Sequence, residues 1–196
     1  MFQVRIHGRG GQGVVTGAEM LSIAAFAQGR HAQAFPSFGS ERTGAPVVAF
    51  CRIDEREIRL REPVMAPDAL IIQDSTLLQQ VEVFQGLQRE GYVLINSTRS
   101  FDELGVGDFI RQFRRERLCN VPANEIAMRH VGRPLPNAAL LGGFAAISGL
   151  IGLDSVAHAI REKFSGKVAQ GNVAAATEAY EYVKREIEEL SHVEAG

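Results

Sequence analysis

The residues best suited to chemistry in this sequence are the glycines near its start. Gly8–Gly13 reads GRGGQG and fits the pattern G-x-G-x-x-G, between a strand-like segment and a helix-like one. Glycine allows positive φ angles, and the missing side chains let an anion approach the backbone N–H groups. The start of a helix adds unpaired N–H groups and a partial positive charge. The spacing therefore favours a turn that binds a phosphate group.

Three interpretations of this turn are open. A nicotinamide dinucleotide site usually has an acidic residue about 20 residues further on, at the end of the second strand. Here that strand is His31–Phe35, and no Asp or Glu follows it until Glu41. A structural turn that binds nothing is the second interpretation. We favour the third, in which the turn binds some other molecule that carries phosphate.

Composition argues against several other functions. The 196 residues have a net charge of -2, which gives no electrostatic reason to bind nucleic acid or an anionic membrane. We expect a cytoplasmic protein, because the sequence has neither the apolar run of a signal peptide nor the roughly 20 apolar residues of a membrane span. An iron–sulfur cluster needs about four thiolates, and Cys51 and Cys119 are the only cysteines. We expect no metal site and no complete active site in this chain.

Hydrophobic periodicity predicts the elements that position the turn. Phe2–His7 alternates like a strand, Gly11–Ala27 has apolar residues at helical spacing, and His31–Phe35 is a short second strand. Gly29 marks the end of the helix. This order predicts a βαβ unit, in which the two strands pair in parallel through a right-handed crossover.

The rest of the sequence predicts a single α/β domain. We expect a hairpin from Val47–Ile53 and Glu57–Leu60, and buried strands at Ala69–Gln73 and Tyr92–Asn96 with a helix at Thr76–Arg89 between them. Three further helices are predicted, at Ala138–Ile151, Ser155–Phe164 and Asn172–Leu190. Neither an internal repeat nor a linker divides the chain.

A second motif makes the glycine turn more specific. Pro36–Pro46 reads PSFGSERTGAP, a loop of aromatic, acidic and basic residues framed by Gly and Pro. With GRGGQGVVTGAEMLSIAA before it and VVAFCRID after it, this loop closely resembles the gamma subunit of pyruvate:ferredoxin oxidoreductase and its relatives. The resemblance extends to Gly132–Asn137 (GRPLPN) and to NVAAA from Asn172. It covers most of the chain and is weakest between residues 97 and 129.

The resemblance implies a fold and a set of partners. The fold would be Rossmann-like α/β, with a mostly parallel sheet flanked by helices in a single gamma-type domain at residues 1–190, followed by a tail at 191–196. The partners would be alpha, beta and ferredoxin-like delta subunits, which hold thiamine diphosphate, magnesium and 4Fe-4S clusters. Such complexes decarboxylate a 2-oxoacid such as pyruvate, pass electrons to ferredoxin or a related acceptor, and transfer the acyl group to coenzyme A. The gamma chain is scaffold and part of the coenzyme A pocket.

Carried onto this sequence, the resemblance implies three groups of coenzyme-binding residues. They are Gly10, Gly11, Gln12, Gly13 and Val14 in the turn, Glu41 and Arg42 in the loop, and the amides Asn137 and Asn172. Fused relatives resemble DSKKSGG where this chain has GSERTGA. If the first lysine contacts phosphate there, Glu41 brings the wrong charge. The contact then moves to Arg42, whose planar guanidinium suits phosphate.

Alternative functions remain open from the sequence. The chain could be an independent NAD(P)-binding oxidoreductase, although the acidic residue after the second strand is missing. It could be an assembly subunit that contacts no ligand. Within the resemblance, a complex that acts on aromatic 2-oxoacids such as phenylglyoxylate also stays open, because other chains would select the substrate.

Overall fold

One six-stranded sheet lies at the centre of the structure, a computed structural model that describes residues 1–37 and 42–196. The strands are β1 (Phe2–Arg9), β2 (His31–Pro36), β3 (Pro46–Asp54), β4 (Ala69–Ile72), β5 (Tyr92–Asn96) and β6 (Leu118–Val121). Their spatial order is β2-β3-β1-β4-β5-β6. The pairs β1–β4, β4–β5 and β5–β6 are parallel, whereas β3 is antiparallel to both of its neighbours. The sheet is therefore mixed and mostly parallel.

Helices cover both faces of this sheet. In the described part of the chain they are α1 (Val14–Ala27), α2 (Gly107–Ile110), α3 (Ala123–Val131), α4 (Asn137–Ser148), α5 (Leu153–Lys163) and α6 (Gly166–Glu194), with short 3-10 helices at Ser75–Gln79 and Arg115–Arg117. None of these helices is both long enough and apolar enough to cross a membrane. The larger core packs α1, α4, α5 and α6 against one face, and a smaller core covers β4 to β6 on the other. The molecule is the expected α/β domain.

The predicted pairing of the first two strands is wrong. β1 and β2 point the same way, but β3 lies between them, in a register that runs from Phe2↔Ile53 to Arg9↔Pro46. Hydrophobicity explains the difference, because residues 47–51 form a continuous apolar run whereas β2 contains His31 and Gln33. Residues 49–53 of β3 are all buried, whereas β2 has no fully buried residue. The more buried strand takes the interior position and leaves β2 at the edge.

Two other predicted elements are also wrong. Glu57–Leu60 forms no strand, because both edges of β3 are already occupied by β1 and β2. Thr76–Arg89 is not one helix, because only Ser75–Gln79 is helical and the chain then continues in turns. The buried guanidinium of Arg5 donates hydrogen bonds to the carbonyls of Val83 (2.8 Å) and Gln85 (2.6 Å). In a helix these carbonyls would accept hydrogen bonds from N–H groups of the helix itself.

The remaining predicted elements are confirmed. α1 ends at Ala27, followed by Gly29 at φ 83°, and β4, β5, α4 and α5 lie within a few residues of their predicted bounds. α6 is longer than predicted, since it begins at Gly166 and continues past residue 190 to Glu194. Neither β6 nor α3 is predicted from the sequence patterns.

We predict that the contact between α4 and α6 depends on Gly142. A Cβ atom at this position would overlap the carbonyl oxygen of Ala176, whereas a Cβ at Gly17 would lie at an ordinary 3.4 Å from the Gln73 Oε1. Gly142→Ala should therefore lower the free energy of unfolding by about 2 kcal/mol or more. Gly17→Ala should leave it unchanged or raise it by up to about 1 kcal/mol, because alanine favours helix. Urea denaturation of both variants measures the difference, and equal stabilities would contradict the prediction.

Candidate functional site

The glycine turn lies at the carboxyl end of β1 and leads directly into α1. Gly11 has φ 90° and Gly13 has φ 71°, and both angles strongly favour glycine. Gly13 is the residue before the first turn of α1, and no side chain caps the helix there. The N–H groups in the first turn of a helix have no partner within it. They therefore remain available to an anion at this edge of the sheet.

Hydrogen bonding in the turn leaves some amides uncommitted. The N–H of Gly10 donates to Ala45 O (2.9 Å) and that of Gln12 donates to Arg9 O (3.1 Å). Within residues 1–37 and 42–196, no hydrogen bond uses the N–H of Gly11 or Gly13. Gly11 is also exposed, with open space where a side chain would be. The turn thus presents backbone donors to the outside.

The segment that contains Arg42 is in direct contact with the glycine turn. Gly44 N donates to Gly10 O (3.1 Å), so Gly10 exchanges backbone hydrogen bonds with residues 44 and 45. A Cβ atom on Gly10 would overlap the carbonyl oxygen of Arg42. The Arg42 residue itself is exposed. The structure therefore brings the predicted turn and the predicted arginine together, while Glu41 lies outside the described residues.

Gln12 and Val14 can offer only limited contacts to a ligand. The Gln12 side chain accepts a hydrogen bond from Arg9 N (2.7 Å) and donates one to Asp74 Oδ2 (2.9 Å), so both ends of its amide are engaged. Val14 is buried, and its side chain packs beside Gly8. Val14 can therefore present only its backbone N–H, and the backbone groups of Gln12 already bond to Arg9 O and Gln73 Nε2.

Of the two predicted asparagines, only Asn137 contacts the turn in the described structure. Its side chain is buried at the start of α4, donates to Gly13 O (3.3 Å) and accepts from Ala138 N (2.8 Å). Asn172 is buried in α6, where its amide donates to Val168 O (3.0 Å). Its Oδ1 has no hydrogen-bond partner among the described residues. No described hydrogen bond joins Asn172 to the turn.

An ion pair that the sequence did not predict closes the crevice beside the turn. Arg9 Nε lies 3.2 Å from Asp74 Oδ2, which links the end of β1 to the residues after β4. Gln73 strengthens the link, since its Nε2 donates to Gln12 O (2.8 Å). In open α/β sheets, ligands usually bind outside the carboxyl ends of the strands where the strand order reverses. In this sheet that point lies between β1 and β4, and protein side chains fill it.

Hydrogen bonds stabilise the ionised form of the Asp74 carboxyl group. Partial burial acts to raise its pKa, but hydrogen bonds from Thr76 and Gln12, together with the positive charge of Arg9, lower the pKa overall. The carboxylate also caps the 3-10 helix by accepting from Thr76 N (3.0 Å). The Asp-Ser-Thr pattern of the cap can be recognised in the sequence. No local pattern, however, predicts that Asp74 pairs with Arg9, which lies 65 positions earlier.

Beneath the turn, two buried basic residues carry one positive charge between them. Arg5 Nε donates to His7 Nε2 (3.0 Å), and both side chains are buried. Burial, followed by the charge of Arg5, lowers the pKa of His7 to about 3. His7 is therefore a neutral acceptor at neutral pH. His7 is thus a hydrogen-bonded residue of β1.

Both cysteines are remote from this chemistry. Cys51 and Cys119 are free thiols within the core. Burial raises the pKa of the Cys51 thiol well above its ordinary value and that of Cys119 to about 12. Within residues 1–37 and 42–196, neither thiol belongs to a cluster of three or more His, Cys, Asp and Glu side chains that could hold a metal ion.

The fold and this edge define a class: a Rossmann-like α/β domain with a glycine-rich turn of the kind that binds phosphate, joined to an arginine-bearing segment. A family model described as pyruvate ferredoxin/flavodoxin oxidoreductase matches residues 3–182, and the chain belongs to this family. Within it, the chain is a gamma-type subunit of a multi-subunit pyruvate/2-oxoacid:ferredoxin oxidoreductase. The family expected from the sequence is confirmed.

Relatives with this description match the chain over nearly its whole length. The pyruvate/ketoisovalerate oxidoreductases common subunit gamma of Pyrococcus furiosus is 43% identical, over 97% of this chain and 100% of its own. Pyruvate synthase subunit PorC of Methanothermobacter marburgensis is 43% identical, over 94% and 98%. The crystal structure of pyruvate oxidoreductase subunit PORC from Thermotoga maritima has 33% identity and a TM-score of 0.77, over 92% of this chain and 95% of that one.

A more distant structure shares the fold alone. It is a 2-oxoglutarate:ferredoxin oxidoreductase from Magnetococcus marinus with 2-oxoglutarate, coenzyme A and succinyl-CoA bound. The similarity has a TM-score of 0.67 at 15% identity and covers 94% of this chain but 31% of that one. The same fold is thus one part of a larger chain there.

The buried histidine predicts a pH dependence of stability. Because the pKa of His7 falls from 6.5 unfolded to about 3 folded, the unfolded state binds more protons between these values. The contribution of neutral His7 to stability is complete above pH 6.5 and is lost as the pH falls towards 3. Over this range the free energy of unfolding should fall by up to about 1.4 kcal/mol per pH unit. His7→Gln keeps an acceptor for Arg5 and should make the acid side of the profile shallower in urea titrations. The exposed His192→Gln is the control, and identical profiles for wild type and His7→Gln would refute this origin.

Proposed function

We propose that this chain forms part of the coenzyme A pocket of a 2-oxoacid:ferredoxin oxidoreductase. The observation that carries the proposal is the direct contact between the glycine turn and the Arg42 segment at one edge of the sheet. Coenzyme A is rich in phosphate, and a row of backbone N–H groups beside a guanidinium is a suitable donor set for it. The Magnetococcus marinus complex, which contains this fold, has coenzyme A bound.

In this proposal, each predicted residue acts through the group that it can present. Gly11, Gly13 and Val14 contribute backbone N–H groups, and the exposed guanidinium of Arg42 contacts phosphate. Gly10 and Gln12 shape the turn, because their backbone groups already bond within the protein. Glu41 directly precedes Arg42 in the sequence and stays a proposed coenzyme-binding residue, although it lies outside the described residues. Asn137 holds the turn through Gly13 O (3.3 Å). Asn172 offers a buried carbonyl oxygen that has no partner among the described residues.

The other chemistry belongs to partner subunits in this proposal. Thiamine diphosphate with magnesium supports the decarboxylation of the 2-oxoacid, and 4Fe-4S clusters carry its electrons to ferredoxin or a related acceptor. The alpha, beta and ferredoxin-like delta subunits hold these groups. The buried, protonated thiols of this chain fit none of the clusters. The gamma chain binds and orients coenzyme A, with residues 1–190 as its functional domain, residues 191–196 as a tail, and the cytoplasm as its location.

An independent NAD(P) site is less well supported. Such a cofactor would lie in the crevice between β1 and β4, with an acid at the end of the second strand for its ribose. Arg9 and Asp74 fill that crevice with their ion pair. Asp74 is already committed to three partners, which are Arg9, Gln12 and Thr76.

We predict that Arg42→Ala weakens coenzyme A binding in the assembled complex. A hydrogen bond to a charged group contributes about 1.5–3 kcal/mol, so the dissociation constant should rise about tenfold or more. The KM for the 2-oxoacid should stay unchanged, because this residue is not proposed to contact that substrate. Calorimetric titration with coenzyme A and steady-state kinetics measure the two effects.

Two further variants make this test specific. Arg59→Ala removes an exposed arginine that pairs with Glu57 elsewhere on the surface, and it should bind coenzyme A like wild type. Gly13→Val places a side chain where φ is 71° and where a Cβ would lie 2.6 Å from Asn137 Nδ2, so it should also weaken binding. If all variants bound coenzyme A equally, the chain would be an assembly subunit. If NADH bound to the turn, the dinucleotide function would replace the proposed one.

A further inference from the structure

The side chain of Arg9 lies at the junction of three segments. It extends from the end of β1 towards residues 42–45 on one side and towards residues 74–80 on the other. Its side chain is 20% exposed, and that of Asp74 is 18% exposed. The guanidinium is thus largely enclosed by the segments that it joins.

Each end of the guanidinium has a different partner. Nη1 donates to Gly44 O (3.0 Å), in the segment that carries Arg42. Nη2 donates to Thr76 Oγ1 and Gln80 Oε1, both at 2.8 Å. Nε faces Asp74 Oδ2 at 3.2 Å. One planar group with fixed donor directions therefore spans the distance between the 42–45 segment and the 3-10 helix.

Asp74 fixes the orientation of this guanidinium. Its carboxylate accepts from Gln12 Nε2 (2.9 Å), from Thr76 N (3.0 Å) and from Thr76 Oγ1 (2.5 Å). Donors from both the glycine turn and the 3-10 helix therefore hold the carboxylate in place. The Arg9 side chain is consequently positioned by the same turn that it helps to connect.

Residues 42–45 depend on this arrangement. Arg42, Thr43 and Gly44 are all exposed, and their described hydrogen bonds to the rest of the chain reach only Gly10 and Arg9. Backbone hydrogen bonds to Gly10 attach the segment to the end of β1. The hydrogen bond from Arg9 to Gly44 O also links the segment, through the Arg9 side chain, to the residues that follow β4. Without it, the described hydrogen bonds from the segment to the rest of the chain would reach Gly10 alone.

We infer that Arg9 is a positioning residue that holds the Arg42 segment against the glycine turn and thereby sets the affinity of the site for coenzyme A. The inference rests on the proposed coenzyme A site and adds a residue to it that acts without contacting the ligand. Four of the five guanidinium N–H donors face Gly44, Asp74, Thr76 and Gln80, which leaves one Nη1–H for other partners. Because most of the group is engaged within the protein, the inferred role of Arg9 is to act through Arg42.

The test uses Arg9→Lys in the complete oxidoreductase complex, with Arg59→Lys as a matched control. Lysine keeps the charge but lacks the planar fork, so it cannot reach the three segments together. Hydrogen exchange without coenzyme A should become faster at the amides of Gly44 and Ala45 in Arg9→Lys only. The KM for coenzyme A should rise about tenfold, while kcat and the KM for the 2-oxoacid stay within about twofold. A general loss of folding would change all of these together.

A double variant separates positioning from an independent contribution. If Arg9 acts through Arg42, then Arg9→Lys added to Arg42→Ala should raise the KM for coenzyme A no further than Arg42→Ala alone. Additive effects would overturn the inference, and so would unchanged exchange at residues 44 and 45. An unchanged KM in Arg9→Lys, with a raised KM in Arg42→Ala, would also overturn it. Faster exchange with an unchanged KM in both single variants would instead refute the proposed coenzyme A site.

Discussion

The close approach of two backbones at Gly10 is the constraint on which the candidate site depends. Gly10 exchanges hydrogen bonds with Gly44 and Ala45, and a Cβ atom there would occupy the place of the Arg42 carbonyl oxygen. Only glycine permits this contact. With any side chain at residue 10, the arginine-bearing segment would have to move away from the turn. The glycine pattern thus serves the contact between protein segments as much as any approach of an anion.

The topology of the sheet explains why that contact forms. β3 pairs antiparallel with β1, so its first residue, Pro46, lies opposite Arg9 at the end of β1. The residues immediately before β3 must therefore lie at the carboxyl edge, beside the glycine turn. The sequence led us to expect the same proximity through direct pairing of β1 with β2, which is wrong. The glycine turn and the Arg42 segment still meet, because β3 starts at this edge of the sheet. The sequence had led us to expect the end of β2 there instead.

Sequence patterns predicted the elements whose environment is uniform along their length. β4 and β5 are continuous apolar runs because they are buried on both faces, and α6 is long and amphipathic. β6 was missed because four residues that include Asn120 carry too little periodicity. Thr76–Arg89 was misread because Arg5, far away in sequence, takes the carbonyls of Val83 and Gln85. For the site, the turn and Arg42 were recognisable, whereas the Arg9–Asp74 pair joins residues that no local pattern connects.

The physics of the proposed site also accounts for its incompleteness in a single chain. Exposed backbone donors and an exposed guanidinium act in a medium of high dielectric, where charge interactions are weak and screened by salt. The same groups become strong binders when a neighbouring surface excludes water. In the proposed site, a gamma-type chain that presents these donors at an open edge would gain its affinity for coenzyme A from assembly with its partners. If Arg9 and Asp74 hold the donors in place beforehand, as we infer, assembly has only to cover the donors and need not reorganise them.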